Sequence, residues 1–215
     1  MDQNERTFWK IREAALGKAL KRNNMTLHVC ETIEDAQQFF REQVLKDGVS
    51  VTLGGSESLV QAGILDLCHE CDIRLLDRWD PTLTPQARKE ILRQGFFADV
   101  LLTGTNALTM NGELYNIDGN GNRVAQMAFG PDRVYVLAGV NKVFDDEAAA
   151  ISHVRNVASP ANVIRVGAEK TGCRIAGKCV DCRLPDRICC SFLKTAFQRD
   201  PDRMHIVLVE DVLGY

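Results

Sequence analysis

Five cysteines crowd into eighteen positions late in this chain, as Cys173-x5-Cys179-x2-Cys182-x6-Cys189-Cys190. A Cys-x-x-Cys pair with two further thiols suffices for a four-thiolate site, holding either tetrahedral zinc or an iron–sulphur cluster. The spacing follows neither the bacterial ferredoxin run nor a zinc ribbon. Arg174, Lys178, Arg183 and Arg187 stand among the thiols, where positive charge favours thiolates and offsets the charge of a cluster. The expected ligands are Cys173, Cys179, Cys182 and Cys189. Cys190 is the alternate to the last, since it would face the opposite side of a helix starting near Arg187. Without metal, the same residues are a set of reduced thiols. Cys68 and Cys71 form a second Cys-x-x-Cys, but inside a predicted helix, where packing is the expected use.

A second constellation is polar and rich in glycine. Gly54, Gly55, Ser56, Glu57 and Ser58 follow a β-branched strand directly. Two glycines let backbone approach a ligand, and a helix start offers free N–H groups and hydroxyls to phosphate or carboxylate; the bland alternative is a tight turn. Asn106 and Thr109 follow another strand, and Asn141-Lys142 a third, with Asn116, Asp118, Asn122 and Arg123 between them. In open α/β sheets such positions gather beyond the carboxyl ends of the strands. The expected pocket therefore takes a small anion from Gly54, Gly55, Ser56, Ser58, Asn106, Thr109, Asn116, Asp118, Asn122, Arg123, Asn141 and Lys142. Asp118 and Glu57 are the candidate acids. Gly119-x-Gly121 lacks the third glycine of a dinucleotide fingerprint, Val124 standing in its place, so neither flavin nor NAD is expected. The histidines are dispersed, and no nucleophile elbow or Ser-His-Asp order occurs.

These residues need a scaffold, and the hydrophobic pattern supplies one. Residues 4–23 read as a helix with Phe8, Ile11, Ala15 and Ala19 on one stripe. Apolar runs at 27–30, 49–53, 73–76, 99–103, 134–138 and 204–209 read as strands. Between them come a helix capped by Thr32 and ending at Asp47-Gly48, and one through Leu59, Ile64 and Leu67. Further helices begin at Thr84-Pro85, span about 122–128, and span about 146–158, the last stopped by Ser159-Pro160. Residues 113–118 read as an extended arm between Asn111-Gly112 and Gly119-Asn120. Continuous apolar strands alternating with helices predict a parallel sheet covered on both faces, the α/β class. The stretch at about 165–200 breaks this rhythm as a cysteine-rich excursion.

Composition narrows the function. With 26 Lys+Arg against 29 Asp+Glu the net charge is −3, so no basic field gathers nucleic acid. The apolar runs fall far short of the roughly 20 residues of a membrane span. No signal-peptide core follows the first residues, and a reducing cytoplasm is the expected setting.

Taken together, Gly54-Gly-Ser-x-Ser58, Asn106-Ala-Leu-Thr109, Gly112-x-Leu-x-Asn-Ile-Asp-Gly119, Gly121-Asn-Arg-Val-Ala125, Val140-Asn-Lys142 and Leu213-Gly-Tyr215 resemble the LUD domain, the LutC/YkgG-like lactate-utilisation family. The resemblance covers nearly the whole chain and implies a single domain over residues 1–215. It implies a three-layer α/β sandwich with a mainly parallel sheet, like the NagB/RpiA/CoA-transferase superfamily. It also implies a non-flavin subunit that works with other lactate-utilisation subunits in oxidising L-lactate to pyruvate, with a homodimer as one arrangement. The middle stretch is similar as well to sugar-phosphate isomerases and initiation-factor 2B-like proteins of that superfamily. Those carry Gly-Ala-Asp where this chain has Gly104-Thr105-Asn106, so an amide replaces their acid–base carboxylate. A stand-alone enzyme on a sugar phosphate or acyl substrate is the competing reading, and a thiol-metal redox or interaction module is the third.

Overall fold

Strands that are apolar on both faces must be covered from both sides, and the chain alternates accordingly. In the computed structural model, which describes residues 2–215, the elements in order are α1 (Gln3–Arg22), β1 (Thr26–Cys30), α2 (Ile33–Phe39), β2 (Ser50–Leu53), α3 (Glu57–Gln61), α4 (Ile64–Glu70), β3 (Arg74–Leu76), α5 (Pro85–Gln94) and β4 (Val100–Gly104). There follow β5 (Ala107–Thr109), β6 (Leu114–Asp118), α6 (Asn122–Ala128), β7 (Arg133–Gly139), β8 (Val143–Phe144), α7 (Glu147–His153), α8 (Ser159–Arg165), α9 (Gly172–Ala176), β9 (Ser191–Thr195) and β10 (Met204–Val209).

The central sheet has six strands in the order β1-β10-β7-β4-β2-β3, and every neighbouring pair is parallel. Successive side chains of its inner strands point to opposite faces, which divides the core in two. Val51, Leu53, Leu102, Leu137 and Val207 meet α2, α3 and α4 through Ala36, Leu59, Ile64 and Leu67. Leu101, Val134, Val136, Ile206 and Leu208 meet Leu16 and Leu20 of α1 and Met127 of α6. The architecture is a three-layer α/β sandwich about a parallel sheet. No helix among the described residues is long and apolar enough to cross a membrane.

Four local expectations need correction. The helix expected through Leu59, Ile64 and Leu67 is two helices, because Gly63 at φ 66° breaks the ladder between α3 and α4. The helix from Thr32 does not stay regular to residue 46: α2 closes at Phe39 and a wide π-type turn, Phe40–Val44, continues it. Ser159-Pro160 does not end the helical path either. A second π-type turn, Val154–Ala158, leads straight into α8, where Pro160 occupies the first turn and needs no N–H partner. Near Arg187 there is no helix: the chain is irregular and then extended, entering β9 antiparallel to β6. The free edge of β6 supplies the ladder that makes extension favourable there.

β9 completes a second, mixed sheet in the order β8-β5-β6-β9, which the sequence reading had only as one extended arm. One side of this sheet joins the α1 side of the core through Leu108, Leu114 and Val143. The other carries α7 and the wide turn after it, through Ala107, Tyr115, Ala150 and Val154.

Candidate functional site

The carboxyl ends of β2, β4 and β7 open onto one cavity of about 390 Å³. Its lining includes Gly55, Ser56 and Glu57 after β2, Gly104, Thr105 and Asn106 at β4, Asp118, Asn122 and Arg123 around the start of α6, and Lys142 after β7. Close packing of these loops explains two of the glycines. A Cβ on Gly54 would lie 2.5 Å from Thr103 Oγ1, and one on Gly104 would collide with Ser56 Oγ.

Lys142 is buried in the short turn Val140–Lys142. Its ammonium donates to Ser58 Oγ at 2.9 Å and to the Thr105 carbonyl at 3.0 Å, which leaves one of its three N–H groups over. Burial, helped by the nearby Arg123 charge, lowers its pKa to about 8. Ser58 in turn donates to the Leu213 carbonyl at 3.2 Å. Asn141 fixes the same tail, accepting from Leu213 N–H at 3.1 Å and donating to the Gly214 carbonyl at 3.3 Å.

Arg123 is aimed inward. Nη1 donates to the Gly104 carbonyl at 3.0 Å and Asn116 Oδ1 at 2.7 Å, while Nη2 donates to Asn106 Oδ1 at 3.1 Å and the Ile117 carbonyl at 2.8 Å. Nε faces Asp118 Oδ2 at 3.5 Å. Burial lowers this guanidinium's pKa, with Asp118 opposing the shift. Asp118 is occupied on its other oxygen as well, accepting from Asn120 and Gly121 N–H at 3.1 and 2.9 Å to shape the turn into α6. Asn106 accepts from Ile117 N–H at 2.9 Å, so this amide ties the loop after β4 to β6. Glu57 is the freer carboxylate, its nearest cation being Arg165 Nε at 3.7 Å.

Of the twelve binding residues expected from sequence, Gly55, Ser56, Asn106, Asp118, Asn122, Arg123 and Lys142 line the cavity. Gly54, Ser58, Asn116 and Asn141 stand behind that lining, where they position Arg123, Lys142 and the tail. Thr109 is remote, buried in β5 with its hydroxyl accepting from Glu113 N–H at 3.3 Å. Sequence reasoning missed Arg78, Ser159, Asn162 and Arg165, which also line the cavity. Arg78 was within reach of the strand-end rule, since it follows β3; the other three lie on a helix thought to have ended.

Arg78 changes the electrostatics. It is half-buried, stacks over Trp79 with its guanidinium carbon 5.3 Å from the ring centre, and donates to Asn122 Oδ1 at 3.2 Å in the amide orientation that satisfies both groups. Burial lowers its pKa against the pull of Asp118. With Arg123, Lys142, Arg165 and Arg187 it makes five basic groups around the cavity against the carboxylates of Glu57 and Asp118. A chain of net charge −3 thus presents a positive cavity.

The cysteines lie next door. Cys173, Cys179, Cys182 and Cys189 line a smaller cavity that shares Ser159, Arg187 and Ile188 with the larger one. Cys190 is exposed and outside it. Cys68 is buried in α4, where burial pushes its pKa up to about 12.

The LUD-domain family model matches residues 14–209. No curated protein matches the chain. Among solved structures, the chain is similar to the crystal structure of a DUF162-family protein from Deinococcus radiodurans, with a TM-score of 0.51 and 12% identity over 93% of this chain and 97% of that one. At that identity the likeness is one of fold.

Proposed function

The chain belongs to the LUD-domain family, which is associated with lactate utilisation, and on that premise we propose that it serves the oxidation of L-lactate to pyruvate as a non-flavin component of a larger assembly. The supporting observation is the buried Lys142 ammonium at the carboxyl ends of the strands, with one donor left over and Arg78 across the cavity. A short carboxylate placed there meets a point charge, a guanidinium and the backbone at the start of α3. Lys142 would hold the carboxylate, Arg78 would fix its plane, and Arg123 with Asp118 would keep the loops in register without touching it. Glu57 is then the side chain available to accept a proton from a bound 2-hydroxy acid. The partners are the other lactate-utilisation subunits, which would carry the electrons away.

Binding stabilises the native state by mass action, so lactate, pyruvate or phosphate at about 100 times its dissociation constant adds roughly 2.7 kcal/mol. A melting curve of the full chain with each anion reads this directly. Lys142→Ala should abolish the shift, and wild-type protein indifferent to all three anions would sink the reading. The cavity volume favours a second one. About 390 Å³ exceeds the needs of a three-carbon acid and falls in the range of larger ligands, so a sugar phosphate or acyl group is the alternative substrate. Turnover of a phosphosugar by the isolated chain would establish that alternative in place of the first.

A further inference from the structure

Seven charged side chains line the larger cavity, and part of their charge is already paired. Arg123 faces Asp118 at 3.5 Å, and Arg187 donates to Asp181, an acid outside the lining, at 2.9 Å. Arg78, Lys142 and Arg165 remain, and Glu57 is the one lining carboxylate left to oppose them. Two positive charges are therefore left over in a chain whose net charge is −3. Cations held partly out of water without a counter-charge cost free energy that an anionic ligand offsets. A single carboxylate on Lys142 and Arg78 answers only one of the two.

The second charge falls on the α8 wall. Ser159, Asn162 and Arg165 recur at every third position, so α8 turns one polar face to the cavity. Arg165 Nε donates to Asn162 Oδ1 at 2.8 Å, which fixes the guanidinium against its own helix. Both terminal nitrogens of Arg165 and the Asn162 Nδ2 have no hydrogen-bond partner among the described residues. A guanidinium fixed at Nε presents those terminal N–H groups as a fork, the shape that carboxylate and phosphoryl oxygens fit.

Glu57 stands between the two cationic ends. Its carboxylate is 3.7 Å from Arg165 Nε on one side. On the other, Ser58, next along the chain, accepts from Lys142 at 2.9 Å. A ligand with an anionic group at each end would present its middle to the carboxylate available to take a proton. The volume agrees, since about 390 Å³ is more than a three-carbon acid fills. We infer that the cavity binds a short 2-hydroxy acid whose far end carries a second anionic group, carboxylate or phosphoryl, held by Arg165 and Asn162. Lactate fills only the near half of such a site. The inference rests on the carboxylate position proposed above, at Lys142 and Arg78, and adds the far end to it.

The test is calorimetric titration of the full chain at neutral pH with L-lactate, L-malate, L-2-hydroxyglutarate and 3-phosphoglycerate. At least one of the three doubly anionic acids should bind about tenfold tighter than lactate, and which of them does so tells a carboxylate end from a phosphoryl one. This comparison needs no variant to fold. Arg165→Met should erase the advantage, bringing the best of the three to within about twofold of lactate, while Arg165→Lys keeps the charge, loses the fork and should recover part of it. An unchanged melting temperature without ligand separates these effects from misfolding. Lactate bound as tightly as all three would overturn the inference and leave the carboxylate position standing, as would an advantage that survives Arg165→Met. No binding of any of the four acids would remove the carboxylate position as well.

Discussion

Two cavities meet at the wall formed by Ser159, Arg187 and Ile188, and they are built in opposite ways. The larger stands on β2, β4 and β7, whose side chains at Leu53, Leu101, Leu102 and Leu137 are essentially inaccessible to solvent. Its loops are fixed from below by a packed sheet, so its polar groups are held in place whether or not a ligand is present. The smaller is enclosed by a segment in which exposed residues dominate and Ile175 is 88% exposed. There, order comes from hydrogen bonds: Arg187 to its carbonyls, and Asp186 accepting from Glu169 and Lys170 N–H at 3.1 and 2.8 Å. A rigid sheet can hold a mostly solvated pocket open, whereas a loop with little core needs its polar contacts, and any ligand, to hold one shape.

The contrast is most exposed at Arg123. Arg123→Met strands the Gly104 and Ile117 carbonyls, two amide oxygens and the Asp118 carboxylate. Breaking a buried pair of this kind costs about 3–5 kcal/mol. Urea unfolding should show that loss; a change below about 1 kcal/mol would mean the cavity is not held by this network. Leucine truncation makes the same point through packing. Leu102→Ala should cost about 2–5 kcal/mol, and Ile175→Ala should stay within about 0.5 kcal/mol of wild type. Equal losses would erase the distinction between the two regions.

The next effect is electrostatic and confined to the larger cavity. With its pKa lowered to about 8 by burial, Lys142 keeps its proton below that pH and loses it above. Anion affinity should therefore fall about tenfold from pH of about 7 to about 9, or about 1.4 kcal/mol, as the ammonium is lost. Arg123 and Glu57 are the charges that face it. Calorimetric titration checks the slope, and Lys142→Met should flatten it. The smallest effect belongs to the smaller cavity. Asp186→Ala removes two hydrogen bonds at the loop base and should cost about 1 kcal/mol, seen as faster amide exchange at residues 168–190 with the central sheet unchanged. Exchange that speeds up in β4 or β7 as well would show the two regions to be one cooperative unit.

Sequence alone determined the rhythm of this fold, because burial on both faces forces unbroken apolar strands and every such strand ends in a loop at the same edge. Gly55, Ser56, Asn106, Asp118, Asn122, Arg123 and Lys142 were legible for that reason: each lies within a few residues of a strand end or a helix start. Side-chain direction was not legible. Whether Arg123 faces a ligand or its own protein depends on where Gly104, Asn106 and Asn116 stand, and those come from the end of β4, the loop after it and β6. Arg165 and Ser159 reach the cavity only because a wide turn carries the helix past Pro160, and Thr109 is withdrawn because β5 pairs with β6 and β8 in a second sheet. Local spacing records which groups are available near an edge. Which of them faces the cavity is decided by packing between elements far apart in sequence.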